Sequence, residues 1–305
     1  MKKAIYTPTD LESLLTRVPQ WTERLANAIA NVKLPDVSRI YLVGTGAGFA
    51  STLAVKKAFW NLPGITGEDV LAVTPAHLRL GVPESEKCDA LAIVFGEAEA
   101  LGCKAELRIS GTGELPIEDG GLLETYLQMS IAGLLLAESL RQESGMAEKI
   151  FRASRAALAA LPAWDADTQA AAGTISGLVD AYETVGTGSD YGAAWLARML
   201  LYEGAPAAVT TVEESEDWLH VNFLQLTPER FATLVFVAEE NEAADRTQRT
   251  LSYIEGVGRR TVIFTDLPRR MLRTQAPIIE MPSMDQSLLP VFLPLPAALL
   301  IGRLG

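Results

Sequence analysis

One local pattern occurs twice in this chain and limits the folds that it can adopt. In the first half, the apolar run 39–43 leads into the turn Gly44-Thr45-Gly46-Ala47-Gly48 and then into a helical pattern. In the second half, the run 180–185 leads into Gly186-Thr187-Gly188-Ser189 and a second helical pattern. A strand, a glycine turn and a helix in this order form the unit of a parallel α/β sheet. The two copies, 142 positions apart from Gly44 to Gly186, predict a tandem repeat of one α/β domain.

Apolar runs after each turn predict the remaining strands and the helices that close each copy. The predicted strands cover 39–43, 69–74, 90–95 and 105–109 in the first half, and 180–185, 207–212, 231–238 and 261–265 in the second. The predicted helices cover 9–31, 49–60, 122–140, the segment from the second turn to about 202, and 288–301. The alanine-rich region 150–178 is predicted to be a helical linker with a break at Pro162. We therefore expect two domains, over residues 1–165 and 166–305.

Charge, cysteine content and histidine content exclude several classes of protein. Acidic residues outnumber basic ones by 38 to 26 among 305 residues, so the net charge is −12 and the basic face that nucleic acid requires is not expected. The two cysteines, Cys88 and Cys103, give no disulfide framework, which favours a reducing cytoplasm. With His77 and His220 as the only histidines, and no Cys/His cluster, we expect no transition-metal site.

The sequence gives no sign of a membrane segment. The most apolar stretch, 288–301, is too short to cross a bilayer and contains three prolines. The N-terminus runs from Lys2-Lys3 into polar residues rather than into an apolar stretch, so a signal peptide is not expected.

A glycine turn between a strand and a helix offers backbone N–H groups and the positive end of the helix dipole to an anion. A dinucleotide is disfavoured, because its G-x-G-x-x-G fingerprint needs a small residue where Phe49 stands, and the second strand ends in Thr74-Pro75 rather than in an acidic residue. A Walker phosphate loop is also disfavoured, since no lysine follows either turn at the required place. From the local pattern alone, each glycine turn can equally be an anion-binding site or only a tight connection between the strand and the helix.

Two titratable residues of the second half are candidates for acid–base chemistry. A carboxylate lies on the apolar stripe of the helix after the second turn, because the spacing i, i+3, i+4 and i+7 is occupied by Leu196, Met199, Leu200 and Glu203. Burial raises the pKa of a carboxylate toward neutrality, as a general base requires, although a glutamate at a helix end can equally reach solvent or cap a neighbour. His220 precedes the apolar run Val221 to Leu226, where a histidine serves either packing or catalysis.

The order of these motifs resembles the sugar isomerase (SIS) family over residues 20–305. The first half carries Tyr41 to Ser51 around its turn and, later, Glu124-Thr125-Tyr126. The second half carries Gly186 to Tyr191, Tyr202-Glu203-Gly204 and the run Glu213 to His220. The resemblance is closest to the two-domain type: the isomerase half of glucosamine-6-phosphate synthase, the tagatose and galactosamine phosphate isomerases, and the fructosamine-6-phosphate deglycases. It implies two three-layer α/β/α sandwiches, each with a mainly parallel, flavodoxin-like sheet.

The resemblance also implies roles for individual residues. In the two-domain type, a glutamate that ends the first helix of the second domain removes a proton in the enediol or enolamine step. A histidine further along the chain, which reaches the partner subunit's site, acts in ring opening or leaving-group protonation. Glu203 and His220 match these positions, and Asp217 either orients His220 or caps a helix. The residues implied to bind substrate are Gly44, Thr45, Gly46, Ala47, Gly48, Ser51, Gly188 and Ser189. The resemblance implies neither cofactor nor metal, and the shared site implies a homodimer.

Departures from the family concern the binding of phosphate. Ala47 and Gly48 stand where the family's first turn carries hydroxyl residues that bind the phosphate. The family's Ser-x-Ser-Gly-x-Thr loop after the third strand is replaced by a shorter segment without serine or threonine, in which Glu97 and Glu99 repel a phosphate dianion. The last lysine of the chain is Lys149, so the C-terminal lysine of the synthase branch is missing.

Two functions follow from this comparison. The first is a cofactor-independent isomerase or deglycase that acts on a small sugar or amino-sugar derivative, with Glu203 as the base and His220 as the acid. The alternative is a catalytically silent SIS protein that binds a carbohydrate derivative in a regulatory or structural role. The retained Glu/His pair favours the first function, and the lost phosphate loop favours the second.

Overall fold

The computed structural model describes residues 6–60, 62–177, 179–205, 209–221, 227–238, 240 and 244–304. The chain divides into two compact units. The N-terminal unit is Arg17–Arg152, and the C-terminal unit is Met1–Thr16 together with Ala153–Gly305. Two long helices, α1 (Pro8–Ile29) and α6 (Met146–Ile175), pass from one unit into the other along the chain. The predicted domain boundary after residue 165 falls within α6 and stays a prediction.

The N-terminal unit is built on one five-stranded sheet. Its strands are β1 (Arg39–Gly44), β2 (Val70–Val73), β3 (Ala90–Phe95), β4 (Ala105–Ser110) and β5 (Leu115–Pro116). Its further helices are α2 (Ala47–Val55), α3 (Pro75–Gly81), α4 (Glu84–Lys87) and α5 (Leu122–Leu140). The strand order is β2-β1-β3-β4-β5, and every pair is parallel. This is the order of the flavodoxin-like doubly wound fold.

The C-terminal unit repeats the same plan. Its strands are β6 (Ala181–Gly186), β7 (Val209–Glu214), β8 (Phe231–Val237), β9 (Arg260–Thr265) and β10 (Ile278–Glu280). Its helices are α7 (Asp190–Gly204), α8 (Ser215–Val221), α9 (Ala244–Gly256), α10 (Leu289–Phe292) and α11 (Pro294–Gly302). The order β10-β9-β8-β6-β7, read from its other end, reproduces that of the first sheet, again with every pair parallel. The predicted tandem α/β sandwich with parallel, flavodoxin-like sheets is therefore confirmed.

Each sheet is covered by helices on both faces. In the N-terminal unit, Tyr41, Val43 and Val94 form a cluster with Leu78 of α3 on one face, while α2 and α5 pack against each other. In the C-terminal unit, Val185 and Val235 form a cluster with Trp218 of α8 and with the apolar side chains of α9. There α7 packs instead against α10 and α11.

The Glu118 carboxylate holds the helix α1 in place within the N-terminal unit. Glu118 accepts a hydrogen bond from Trp21 Nε1 at 3.0 Å and forms ion pairs with Arg17 and Arg24. Gln128 of α5 accepts a hydrogen bond from Arg24 at 3.0 Å. These contacts tie α1 to the segment between β5 and α5.

The helix α6 shows that the predicted break at Pro162 is wrong. The helix is continuous over 30 residues, with Pro162 in its interior. An interior proline removes one backbone hydrogen bond, so the turns on either side must be held by packing. Leu161 and Trp164, which flank the proline, are buried, and Trp164 Nε1 donates to the carbonyl of Glu280 at 2.9 Å. This anchorage compensates for the lost backbone bond.

Several other elements differ from the sequence-based predictions. The helix predicted over 49–60 ends at Val55 and continues as a 3-10 turn, and the helix predicted over 288–301 is divided into α10 and α11. The strand predicted over 207–212 is observed as β7, and positions 207–208 lie outside the described residues. Within the described part of the chain, no helix is long and apolar enough to cross a membrane.

Candidate functional site

The first glycine turn joins β1 to α2 by a close approach of backbone. A Cβ on Gly44 would lie 2.5 Å from the carbonyl carbon of Gly48, and a Cβ on Gly48 would lie 2.1 Å from the carbonyl oxygen of Phe95. Both distances are too short for any side chain, so only glycine permits this path. The turn therefore closes directly against the end of β3.

Donors at this turn point to an anion site. The N–H groups of Phe49 and Ala50 bond to Thr45 and Gly46, as in an ordinary first helical turn. Among the described residues, none accepts a hydrogen bond from the N–H groups of Gly46, Ala47 or Gly48. Unpaired N–H groups at a helix N-terminus favour a negative charge. In this fold, moreover, ligands bind where the strand order reverses, which here is between β1 and β3.

The segment after β3 carries two acidic residues, Glu97 and Glu99. Glu97 accepts a hydrogen bond from the Thr112 hydroxyl at 2.9 Å. The neighbouring hydroxyls of Ser110 and Thr112 lower the pKa of the Glu97 carboxyl, so it stays ionised at neutral pH. Glu99 forms an ion pair with Arg79 and is thereby partly neutralised. The segment that follows the end of β3, against which the turn closes, therefore carries a negative charge at Glu97.

Ser51, predicted to contact the substrate, is buried within the N-terminal unit. Its hydroxyl donates to the carbonyls of Ala47 at 2.9 Å and Tyr126 at 3.2 Å. The residue therefore ties α2 to α5 in this structure. Its predicted contact with a ligand stays a prediction.

The second glycine turn, like the first, contains a glycine of positive φ angle. The φ angle is +59° at Gly188 and +54° at Gly46, a left-handed conformation that glycine adopts without strain. Asp190, which corresponds to Gly48 in the repeat, accepts a hydrogen bond from the N–H of Ala238 at 2.9 Å. Here a carboxylate, rather than a backbone contact, joins the turn to the end of the neighbouring strand.

Hydroxyl groups fill the space beside the second turn. Thr187 donates to Ser215 Oγ at 2.7 Å, and Ser215 Oγ lies 3.0 Å from Thr247 Oγ1. Ser215 and Thr247 are buried. The hydroxyls thus connect the turn to α8 and α9, and the predicted substrate contacts of Gly188 and Ser189 stay predictions.

Glu203 lies in the last turn of α7. Leu196 and Leu200, on the same side of the helix, are buried, and Glu203 itself is half-buried. Burial raises the pKa of the Glu203 carboxyl above its ordinary value. None of the described residues forms a hydrogen bond or an ion pair with it. A carboxylate of raised pKa without a partner has the properties of a general base.

His220 lies in the last turn of α8 and is exposed. The run 222–226 that follows it lies outside the described residues. Within the described part of the chain, no hydrogen bond or ion pair links His220 to Glu203 or to Asp217. The imidazole is therefore presented on the surface of the C-terminal unit.

A buried ionic cluster, which the sequence analysis did not identify, anchors α8. Glu183 of β6 accepts hydrogen bonds from Trp218 Nε1 at 3.2 Å and Thr233 at 3.3 Å, and it forms an ion pair with Arg259. The Arg259 guanidinium lies 4.8 Å from the ring centre of Trp218 and 4.9 Å from that of Phe231. Burial lowers the pKa of Arg259 to about 10. Because Trp218 is two residues before His220, this cluster fixes the helix that carries the histidine.

The fold separates Glu203 from the second turn. Since β6 and β7 are parallel, α7 runs back toward the edge where the strands begin. With 15 residues, α7 is about 22 Å long. Within one chain, Gly188 and Ser189 therefore do not contact the same small ligand as Glu203.

The fold also separates Glu203 from His220. In the sheet, β7 lies on one side of β6, whereas β9 lies on the opposite side of β8. Connections between parallel strands are right-handed. The helix between β6 and β7, α7, and the helix between β8 and β9, α9, therefore cover opposite faces of the sheet. The helix α8 packs with α9. Glu203 and His220 thus belong to opposite faces of one sheet.

The described residues contain no group of three or more histidine, cysteine or acidic side chains that could hold a metal ion. The two cysteines are free thiols.

Comparison with solved structures shows the same fold elsewhere. The C-terminal domain of glucosamine-fructose-6-phosphate aminotransferase from Francisella tularensis has a TM-score of 0.71 at 13% identity, covering 95% of each chain. Tagatose-6-phosphate ketose/aldose isomerase from Escherichia coli has a TM-score of 0.71 at 12% identity, covering 99% of this chain and 94% of that one. Glucosamine-6-phosphate deaminase from Thermotoga maritima has a TM-score of 0.59 at 12% identity, covering 95% and 93%.

The sequence itself matches no family model and no curated protein. The likeness to solved structures extends over nearly the whole chain and includes proteins of the types that the motifs indicated. The predicted resemblance to the two-domain sugar isomerases is therefore confirmed at the level of the fold.

Proposed function

We propose that this protein moves a proton between adjacent carbons of a sugar or amino-sugar derivative through an enediol or enolamine, without a cofactor. Glu203 carries the proposal, because it combines partial burial, a raised pKa and no partner among the described residues. Proton transfer between adjacent sugar carbons needs one base of this kind and one acid near the ring oxygen. An isomerase or a deglycase would use the same step.

His220 is the proposed acid, contributed by a second copy of the chain. Glu203 and His220 lie on helices that cover opposite faces of one sheet, so a site that uses both draws them from different copies. The exposure of His220 supports this arrangement, since an imidazole on the surface can enter a neighbouring site. A homodimer with shared sites is the simplest assembly that meets this need.

The first glycine turn is the proposed anchor for an anionic or hydroxyl-rich end of the substrate. Its free donors are backbone N–H groups, whose dipole contributes only about 0.3–1 kcal/mol at exposed sites. The further proposed contacts implied by the resemblance are Gly44, Thr45 and Ser51, together with Gly188 and Ser189 from a different copy of the chain than the one that supplies Glu203. Free thiols at Cys88 and Cys103 accord with the proposed cytoplasmic location.

A catalytically silent carbohydrate-binding protein is the second candidate. The feature that favours it is the first turn, where the hydroxyl residues of the family are absent and Ser51 bonds to two backbone carbonyls. Such a protein would bind the same class of ligand without exchanging its protons.

Solvent exchange distinguishes the two candidates. A panel of aldoses, ketoses and 2-amino sugars, with and without a 6-phosphate, is incubated in deuterium oxide, and exchange at C1 and C2 is followed by NMR. We expect exchange with at least one member, and a loss of about 10²–10⁴ in its rate for Glu203→Gln. Glu12→Gln, an exposed glutamate of α1, is the matched control and should exchange at the wild-type rate. Binding without exchange would support the silent protein, and undiminished exchange in Glu203→Gln would exclude the assigned base.

A further inference from the structure

The C-terminal unit contains a cleft formed by α9 and the segment 270–274 that follows β9. Its volume is about 600 Å³, which is in the range of small-molecule sites. Arg249 of α9 and Arg270 and Arg273 of the segment line it, together with Asp245. Leu272, which also lines it, is buried, so the cleft has an apolar floor beneath a charged rim.

The charge of this cleft is opposite to that of the molecule. Three arginines and one aspartate give the lining a net charge of +2, in a chain of net charge −12. Among the described residues, no carboxylate or carbonyl is bonded to Arg249, Arg270 or Arg273. Two other exposed arginines of the C-terminal unit have acidic partners: Arg230 pairs with Asp180 and Arg246 with Glu216. The three cleft arginines are thus available to a ligand.

The segment that carries two of these arginines is fixed at both of its ends. On one side, the N–H of Leu272 bonds to the carbonyl of Arg269 at 3.1 Å, and the Leu272 side chain enters the core. On the other side, Glu255 of α9 accepts the Thr274 hydroxyl and the N–H groups of Gln275 and Ala276, the last two at 3.1 Å. The arginines therefore project from a backbone that is already in place.

We propose that this cleft binds a small phosphorylated molecule with two or more negative charges. Guanidinium groups bind phosphate oxygens in pairs, and several of them around one cleft suit a ligand with adjacent charges. The exposed side chain of Met271 and the apolar floor can cover the uncharged part of such a ligand. A nucleic acid is disfavoured, because the polymer beyond the cleft would meet a strongly acidic protein. The residues differ from those of the proposed sugar site, and the inference does not depend on that function.

Calorimetry with inorganic pyrophosphate tests this site on the full chain. We expect saturable binding of one pyrophosphate per chain that weakens as salt is added. Each of Arg249→Gln, Arg270→Gln and Arg273→Gln should weaken it about tenfold or more, since each removes a charge-assisted contact. All three residues are exposed, so the variants should fold. Arg152→Gln, which changes an exposed arginine outside the cleft, is the charge-matched control and should bind within about twofold of wild type.

The outcomes separate this inference from the proposed function. Glu203→Gln should bind pyrophosphate as the wild type does, whatever its effect on proton exchange. Equal binding by the wild type and the three cleft variants would overturn the proposal, as would a loss of binding in Glu203→Gln. A single-stranded oligonucleotide that bound more tightly than pyrophosphate and competed with it would also overturn it, because the cleft would then be part of a nucleic-acid surface.

Discussion

At the scale of the residue, Glu203 determines the proposed chemistry, and its ionisation should control the rate. Burial raises the pKa of its carboxyl, so the basic form exists only above that raised value. Proton exchange should therefore be full at higher pH and should fall as the pH decreases through the raised pKa. The pH dependence of kcat/KM for an exchanging substrate measures this fall. A fall centred at about 4.3, the ordinary value for a glutamate, would contradict the assignment.

The buried cluster around Glu183 makes a separate prediction about stability. Arg259→Met leaves the Glu183 carboxylate buried without its cation, which typically costs about 3–5 kcal/mol in free energy of unfolding. Replacing both partners, in Glu183→Leu/Arg259→Met, should cost less, since no unpaired charge then remains. Urea denaturation of the two variants measures the difference. A single variant as stable as the wild type would show that the ion pair does not support α8.

Residue identity alone could predict some of these features and not others. Glu203 was identifiable because its spacing from Leu196 and Leu200 places it on an apolar stripe. The partner of Glu183 was not, since a glutamate inside a strand and an arginine far along the chain give no local sign of pairing. The role of Ser51 was equally hidden, because a hydroxyl can bond to its own helix or to a ligand with the same sequence pattern.

At the scale of the element, the first glycine turn should not tolerate a side chain. A methyl group on Gly48 would overlap the carbonyl oxygen of Phe95, so Gly48→Ala must displace the turn from β3. We expect a loss of about 1–3 kcal/mol in free energy of unfolding and weaker binding of any ligand held by the turn. Gly173→Ala is the matched control, because that glycine lies in α6 with no atom within 4 Å of the added Cβ. It should stabilise the protein by up to about 1 kcal/mol in thermal or urea unfolding. Equal stability of the two variants would contradict the close approach.

The turn also predicts a weak preference for phosphate at the proposed sugar site. Backbone N–H groups are its described free donors, and Glu97 lies two residues beyond Phe95 at the end of the adjacent strand. Each missing charge-assisted hydrogen bond forfeits roughly 1.5–3 kcal/mol of binding. Calorimetry on paired hexoses and hexose 6-phosphates should therefore show weak binding with a small difference between the members of each pair. The Arg273→Gln variant serves as background, since it should weaken phosphate binding at the cleft formed by α9 and the segment 270–274. Tight, phosphate-dependent binding in that variant would contradict this prediction, because it would require phosphate-binding groups other than the N–H donors of the turn.

The elements themselves followed from the sequence where hydrophobic runs were long and bounded. The strand over 90–95 and the helix over 122–140 were predicted with their observed bounds, because the strand is entirely apolar and the helix contains long apolar runs. The short strands β5 and β10 carry too few residues to form a pattern. The helix α9 was missed because its buried side includes Thr247 and Thr250, so its apolar stripe is broken.

At the scale of the whole molecule, the two repeated units share one fold but are proposed to have different functions. The two sheets have one strand order, and Gly46 and Gly188 in the two turns have nearly the same positive φ angle. The two copies differ in the contacts of their glycine turns. The first turn has free backbone N–H donors, whereas hydroxyl groups and the Asp190 carboxylate form hydrogen bonds around the second turn. The tandem fold could be predicted from the repeat alone, but the separation of Glu203 and His220 required the sheet topology.

The exchange of chains between two inactive variants tests the central claim most directly. Glu203→Gln and His220→Ala are first shown to be folded and inactive alone, and are then mixed, with mixed dimers verified by mass spectrometry of differently tagged chains. If each site takes Glu203 from one chain and His220 from the other, each mixed dimer regains one intact site. Random exchange of equal amounts should then restore about a quarter of the wild-type proton-exchange rate. Verified mixed dimers without any recovered exchange would contradict the claim that the two residues act together across copies of the chain.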